Sequence, residues 1–260
     1  MTSSILIGVD KGVATLTLNR PKAMNAFDAE TARALVDLLE TFANDDGVRV
    51  LVVAGNGTAF SAGGDFNSVL TWPELNSIER GAAAGALMGA IQAIRDFPKP
   101  SIARVHGAAV GGGVGVRLAC DFALAASTAR FGLTSVRNGL LAGIAIPGLI
   151  EAVGPRVARQ LLMHGGIFDA KTALRVGLVD QVVEPGELDQ AVADLAGELR
   201  LGAPSVQRLA KHLVTQVDAL LHDAETGEML ASHVANQCVT EDAQEGMSAF
   251  LAKRKPKWAT

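Results

Sequence analysis

Cysteine is scarce in this chain of 260 residues, with only Cys120 and Cys238 present. They lie far apart and have neither metal-ligand spacing nor a nearby second thiol. This excludes a disulfide framework or a thiolate metal site, and both are expected to be reduced and buried rather than catalytic. Excess charge of one sign is also missing: 27 acidic residues against 23 basic ones give a net charge of -4. Nothing in that balance attracts nucleic acid or an anionic membrane globally, so any basic site must be local. No segment reaches transmembrane length without interruption by charge or glycine, and MTSSILIGVDKG at the N-terminus lacks a basic stretch leading into a long apolar run. A cytoplasmic location is the expectation. Nucleotide-loop signatures fail as well. Gly55 and Gly57 begin a G-x-G-x-x-G pattern, but Phe60 stands where its third glycine is required, and no G-K-[ST] follows a glycine loop.

What the chain does have is an apolar fraction of 49% with 19% charged residues, and a length that can bury a substantial core. Ile5–Val9 and Val13–Leu18 read as two strands joined by the turn Asp10-Lys11-Gly12. Asp28 reads as the cap of a helix over Ala29–Asn44, whose Ala32, Leu35, Val36, Leu39 and Phe42 form one apolar stripe. Val48–Ala54 is the mostly apolar run of a buried strand. A helix over about Asn76–Asp96 and a strand at Ser101–Val105 follow. Beyond about residue 190 the strand signal ends. Helices are predicted at Leu188–Leu201, Ser205–Leu221 and Ala224–Val239, and a last one starts at Thr240 and ends near Lys253, Arg254 and Lys255.

Two glycine-rich turns stand out, NGTAFSAGGDF at 56–66 and HGAAVGGGVG at 106–115. Peptide N–H groups at Gly64 and Gly112 can converge on one carbonyl oxygen only where no β-carbon blocks the approach. Gly112–Ala119 reads as a helix, whose N-terminal end presents free N–H groups to an oxygen gaining negative charge.

These turns also resemble a known pattern. FSAGGDF matches the F-x-A-G-x-D motif of the crotonase superfamily, the enoyl-CoA hydratase/isomerase family. NRPKAMNA at 19–26 resembles its N-R-P-x-x-x-N-A segment, and GGGVGVRLACDFALA at 111–125 its G-G-G run. Phe131–Gly143, Gly154–Leu162, Gly177–Val183 and the terminal FLAKRKPKW follow in the same order, so the resemblance covers nearly the whole chain. It implies an α/β fold with a spiral core of repeated β-β-α turns over residues 1–195 and a helical oligomerisation region over 196–260. It also implies a trimer or a dimer of trimers, and coenzyme A met only as part of an acyl-CoA thioester substrate. Lys22, Ala23, Ala62, Gly63, Asp65 and Phe66 would then border the adenine and pantetheine. Phe250 and Lys253 match positions with which the family's C-terminal helix covers the cofactor, often from a neighbouring subunit.

The chain departs from the pattern in its acid and base residues. Where the superfamily's hydratases carry two glutamates, this sequence has Gly115 and Ser135, and Gly143 replaces an aspartate used by the dienoyl isomerases. Glycine exchanges no proton, and a serine hydroxyl is too weak an acid to act unaided near neutrality. Ser135 is the candidate for positioning water and Arg137 for attracting a substrate carboxylate, with Asn138 as a third polar group beside them. His106 more often bonds backbone at such a turn than catalyses. Glu74 and Glu79 are expected at the surface, and Asp121 is expected to support the fold. The expected activity is therefore chemistry on an acyl-CoA thioester through an oxyanion hole, hydratase-like or isomerase-like. The alternatives are decarboxylation, thioester hydrolysis, noncatalytic acyl-CoA binding, or a structural place in a hetero-oligomer.

Overall fold

The computed structural model describes residues 3–219, 231–232, 234–236 and 238–256. Strands β1 (Ile5–Asp10) and β2 (Val13–Leu18) form the expected hairpin, paired antiparallel from Ile5–Leu18 to Asp10–Val13. Parallel pairing then adds β3 (Val50–Gly55), β5 (Ser101–Val105), β7 (Phe122–Ala126) and β10 (Gln181–Val183), giving the order β1-β2-β3-β5-β7-β10. A second sheet of short strands, β4 (Ala59–Ser61), β6 (Ala108–Val110), β8 (Arg130–Gly132) and β9 (Ile167–Asp169), runs beside it. β3–β4, β5–β6 and β7–β8 each contribute one strand to both sheets, so three successive turns of a β-β-α spiral are stacked. This is the α/β spiral that the glycine motifs imply.

The parallel strands are covered on both faces, which is why they read as continuous apolar runs. In β3 every residue is buried. Leu51 and Val53 face the main core with Leu16, Leu35 and Phe60, while Val50 and Val52 face Leu188, Val192 and Ala196 of helix α7 (Leu188–Leu199). The expected division at 195/196 falls inside this helix, whose buried face continues across it.

Helix α1 (Ala29–Ala43) begins where the Asp28 carboxylate accepts from Thr31 N, and buries Leu35, Leu39 and Phe42. After the short helix α2 (Phe66–Val69), helix α3 (Ser77–Arg95) starts at an Asn76/Glu79 capping box. Helix α4 (Gly112–Ala119) is buried along nearly its whole length. Helix α5 (Ile146–His164) kinks at Gly154, followed by Pro155. Helices α6 (Ala170–Arg175) and α8 (Pro204–Ala219) lie on either side of α7 in the chain. The last helix, Glu241–Leu251, is capped by the Thr240 hydroxyl on Ala243 N. The helix expected over Ala224–Val239 lies largely outside the described residues.

Candidate active site

The first glycine turn is held by the segment before α1. Met24 (φ 49°) and Asn25 (φ 55°) both take left-handed backbone, an uncommon state for side chains other than Asn and Asp. The strain lets Met24 O accept from Ala62 N and Asn25 O accept from Ser61 Oγ, both backbone oxygens turned toward the glycine turn. Asn25 Nδ2 donates to Asn56 O and Ala59 O, closing the other side. Arg20 Nη2 reaches Asp65 Oδ2 at 2.8 Å and Asp28 Oδ2 at 3.0 Å. One guanidinium thus ties the end of FSAGGD to the start of α1.

Backbone donors in this turn are nearly all taken. Ala62 N goes to Met24 O, Gly63 N to Ser61 Oγ, Asp65 N to Phe27 O and Asn67 N to Asp65 Oδ1. Gly64 sits at the centre of a parallel bridge with Phe27, in which its two neighbours make the bonds, so its own N–H points the other way. No described residue accepts from it. Gly112 N is equally free, as the first residue of α4, where intrahelical acceptors do not exist.

These two amides are neighbours. A β-carbon on Gly112 would stand 3.5 Å from Gly64 N and 3.2 Å from Gly63 Cα, while one on Gly63 would strike Gly112 N. Gly63 (φ 86°) and Gly111 (φ 54°) hold backbone conformations that favour glycine, and each precedes one of the two free amides. The Ser135 hydroxyl lies 3.6 Å from where a Gly111 β-carbon would be, and it bonds to no described residue. Gly64, Gly112 and Ser135 all line a single pocket of about 120 Å³.

The pocket is otherwise mostly hydrocarbon. Leu87 of α3 is 3.8 Å from the β-carbon position of Gly64, and Trp72, Ala84, Leu140, Ile144 and Cys238 form further walls. Burial pushes the Cys238 thiol up to about 11 and the Cys120 thiol up to about 12, so both stay protonated near neutrality, as their lack of partners suggested.

The enoyl-CoA hydratase/isomerase family model matches residues 8–260. Relatives include the crotonyl-CoA hydratase of Syntrophomonas wolfei, 34% identical over 97% of this chain and 96% of that protein. They also include the trans-2-decenoyl-[acyl-carrier-protein] isomerase of Streptococcus mutans, 30% identical over 98% of this chain and 97% of the relative. An enoyl-CoA hydratase from Mycobacterium avium, solved by crystallography, superimposes with a TM-score of 0.87 at 31% identity, over 99% of this chain and 100% of that one. The chain belongs to the enoyl-CoA hydratase/isomerase family. It is thus placed among the hydratase-like lyases and isomerases that act on acyl-CoA.

Gly115 and Ser135, the positions where the resemblance leads one to expect glutamates, have different surroundings. Gly115 is buried in α4, and a β-carbon there would lie 2.9 Å from Ile91 Cδ1 and 3.8 Å from Ile144 Cγ2. Apolar side chains fill the space. Ser135 lies in a short 3-10 turn, Thr134–Asn138. Two carboxylates do line the pocket, Asp28 and Asp65, but both are held by Arg20 and both cap backbone N–H groups. Burial alone would raise the Asp28 carboxyl; the bonds from Thr31 and the nearby Arg20 outweigh it and hold it below the usual carboxylate value.

The remaining candidates separate. Arg137 is exposed and donates from Nε to His164 O, and it does not line the pocket. Asn138 donates to Thr134 O. His106 lies between Arg104 Nη1 and Gly57 O, bonding backbone as its position suggested. Glu79 serves the α3 capping box and Glu74 is exposed, neither of them at the pocket. Asp121 takes bonds from Ser101 N, Ser101 Oγ and Lys211 Nζ, a supporting role. Lys22 is exposed on the 3-10 turn Pro21–Ala23, which ends at Met24, the residue bonded to Ala62. Phe250 stands edge-on to Phe66 with ring centroids 5.1 Å apart, so the C-terminal helix folds onto the glycine turn of its own chain. Lys253 is exposed just beyond that helix with φ 53°, while Arg254 pairs with Glu245.

Sequence reasoning passed over Arg20 as the lock on Asp65, and Trp72, Leu87 and Cys238 as pocket walls. Arg20 was within reach, since it is part of the quoted NRP motif. The walls come from three separate segments, and only the fold brings them together.

Proposed function

We propose that this protein binds an acyl-CoA thioester with its carbonyl oxygen between Gly64 N and Gly112 N, and that it adds water to a conjugated enoyl group without a catalytic carboxylate. The carrying observation is a pair of unbonded amides on two glycines that line one pocket, while Ala62 N, Gly63 N and Asp65 N beside them are satisfied. Water held by Ser135 Oγ attacks C3, and the C2–C3 π electrons move through the thioester carbonyl onto its oxygen. The two N–H groups, backed by the α4 dipole, stabilise that charge. C2 then takes a proton from solvent, and the attacking water loses one to solvent. Removing an oxyanion donor elsewhere lowers turnover by about 10² to 10³, which shows how much of the barrier such a site carries alone.

Lys22, Ala23, Ala62, Gly63, Asp65 and Phe66 provide the rim on which adenine and pantetheine would lie, with Phe250 and Lys253 covering it. Coenzyme A enters here only as part of the substrate, and no resident cofactor is invoked. The apolar residues Val206, Leu209 and Leu213, exposed along α8, support a role for the helices after residue 195 in assembling a trimer or a dimer of trimers.

Hydration of crotonyl-CoA and longer enoyl-CoA thioesters, followed by loss of enoyl absorbance alongside binding calorimetry, tests this reading. Turnover is expected to be slow and to drop further in Ser135→Ala, while thioester binding is retained. Binding without turnover would favour a noncatalytic acyl-CoA-binding protein, and failure to bind any thioester would remove the proposal.

A further inference from the structure

We infer that the acyl chain this site accepts ends in a carboxylate, received by Arg80 near the start of α3; this rests on the proposed function above. Arg80, Ala83, Ala84 and Leu87 recur at the three- and four-residue spacing that puts side chains on one face of a helix. The last three line the pocket, and Leu87 flanks Gly64, where the thioester carbonyl would sit. Arg80 is not itself a wall. It stands one turn beyond Ala83 and Ala84, and its side chain leans toward the helix N-terminus, where Nη1 donates to Leu75 O. Leu75 in turn packs against the buried cluster of Trp72, Ala84, Ala235 and Cys238, three of which line the pocket.

The guanidinium is half-buried and its bonding is incomplete. Nη1 is engaged by Leu75 O, whereas Nε is buried and bonds to nothing. No carboxylate among the described residues pairs with it. Glu79 turns back to Asn76 N in the capping box, and Glu74, just before Leu75, is exposed. The helix adds to the imbalance, because the N-terminal end of α3 is its positive end and disfavours a cation there. An anion at this point answers both the unbonded Nε and the surplus positive charge, and the planar fork of an arginine matches a carboxylate.

Charge is arranged in the opposite sense around Gly64. Asp28 and Asp65 both line the pocket and share the single guanidinium of Arg20, which leaves that side one negative charge in excess. A thioester carrying a terminal carboxylate is therefore repelled from one side of the site and drawn to Arg80. Seven residues separate Leu87 from Arg80, about 10 Å along the helix axis. A carboxylate next to the thioester, as in malonyl-CoA, stops far short of Arg80, so only longer acyl chains gain from it.

The experiment is calorimetric binding and enoyl turnover over matched pairs of enoyl-CoA thioesters of increasing acyl length, one member ending in a methyl group and the other in a carboxylate. Once the chain is long enough to reach Arg80, the carboxylate member is expected to bind roughly 10-fold more tightly than its methyl counterpart. Arg80→Gln, which keeps a donor for Leu75 O, should abolish that preference and leave the methyl series unchanged, and Arg80→Lys should retain part of it. The loss should appear in KM with kcat nearly constant, as removal of an interaction made equally in the ground and transition states. If the methyl member binds as well at every length, or if Arg80→Gln weakens both series equally, Arg80 only braces Leu75 and this inference fails while the acyl-CoA reading stands. If no thioester binds, the acyl-CoA reading itself fails.

Discussion

A β-carbon on Gly112 would stand 3.5 Å from the amide nitrogen of Gly64 and 3.2 Å from Gly63 Cα. Ala at this position keeps the donor and adds one methyl group against the backbone of Gly63 and Gly64, so the spacing of the two amides is tested without removing either. By pressing the two glycine turns apart, Gly112→Ala is expected to lower kcat/KM for enoyl-CoA, with the roughly 10² to 10³ cost of a lost oxyanion donor as the upper bound. The 3.2 Å approach is to backbone, Gly63 Cα, so the two glycine turns would have to separate by a few tenths of an ångström. Melting temperature should therefore fall modestly while the chain stays folded. Steady-state kinetics beside a thermal melt checks both statements, and full activity in a folded variant would overturn the donor assignment.

Placing a glutamate at Gly115 should not produce a fast hydratase. Its β-carbon would press on Ile91 Cδ1 at 2.9 Å, and its carboxyl would enter an apolar space bounded by Ile144. An unpaired carboxylate there is protonated rather than charged. Gly115→Glu is expected to lose about 1–3 kcal/mol of stability from overpacking, without a gain in hydration rate. Ile91→Ala combined with Gly115→Glu should recover part of that loss, since the two sites share one volume. Denaturant melts of the single and double variants supply the cycle, and additive effects would show that Ile91 is not the obstacle.

Much of this architecture could be read from the residues. The β1–β2 hairpin, the Asp28 cap, α3, β5 and α4 fall within a residue or two of their expected bounds, because periodicity and caps are local signals. Glycine pairs 63–64 and 111–112 could also be read, since only a missing side chain allows that backbone approach. The second sheet could not. Its strands, such as Ala59–Ser61 and Ala108–Val110, are three residues long, too short for a period to be detected. Nor could the pocket wall that joins Trp72 and Cys238, more than 160 positions apart. The chemical meaning of Gly115 depended on what fills its space, and Ile91 and Ile144 show that only in three dimensions.

Asp28 supplies a pH-dependent element of stability. Its folded pKa is held below the ordinary value, so the stabilisation is present above the unfolded carboxyl's value of about 4 and is lost as pH falls through the folded one. Asp28→Asn retains a good helix cap but cannot pair with Arg20. The stability difference between the parent chain and this variant should be largest near neutral pH and shrink below about pH 4. Urea unfolding at a series of pH values measures it. A difference that stays constant across that range would mean the Arg20 pairing contributes nothing.

Thiol chemistry offers a probe of the pocket that needs no turnover. Cys238 is a buried wall with its thiol pushed up to about 11, and Cys120 is buried elsewhere and pushed up to about 12. Both should react slowly with iodoacetamide at pH 7.5, at a rate limited by local opening. An acyl-CoA thioester seated in the pocket should slow labelling at Cys238 further and leave Cys120 unchanged. Mass spectrometry of the two cysteine peptides distinguishes these outcomes, and equal protection of both would point to global stabilisation instead.

The C-terminal helix Glu241–Leu251 meets the active-site segment through backbone. Gly246 packs so closely on Asn138 that a β-carbon would collide with the Asn138 carbonyl group, and backbone cannot move aside as a side chain can. The same helix carries Phe250 onto Phe66, one residue beyond Asp65. Gly246→Ala should therefore undock this helix rather than unfold the core, because the spiral sheets hold their own buried cluster without it. The expected signs are faster proteolysis within residues 240–256 at nearly unchanged core melting temperature, and weaker binding of CoA thioesters as Phe250 leaves the rim. Phe250→Ala, which removes the ring without forcing the backbone apart, should weaken binding while leaving proteolysis slow. If Gly246→Ala lowers the core transition and thioester affinity in parallel, the helix is part of the cooperative core and not a separately docked cover.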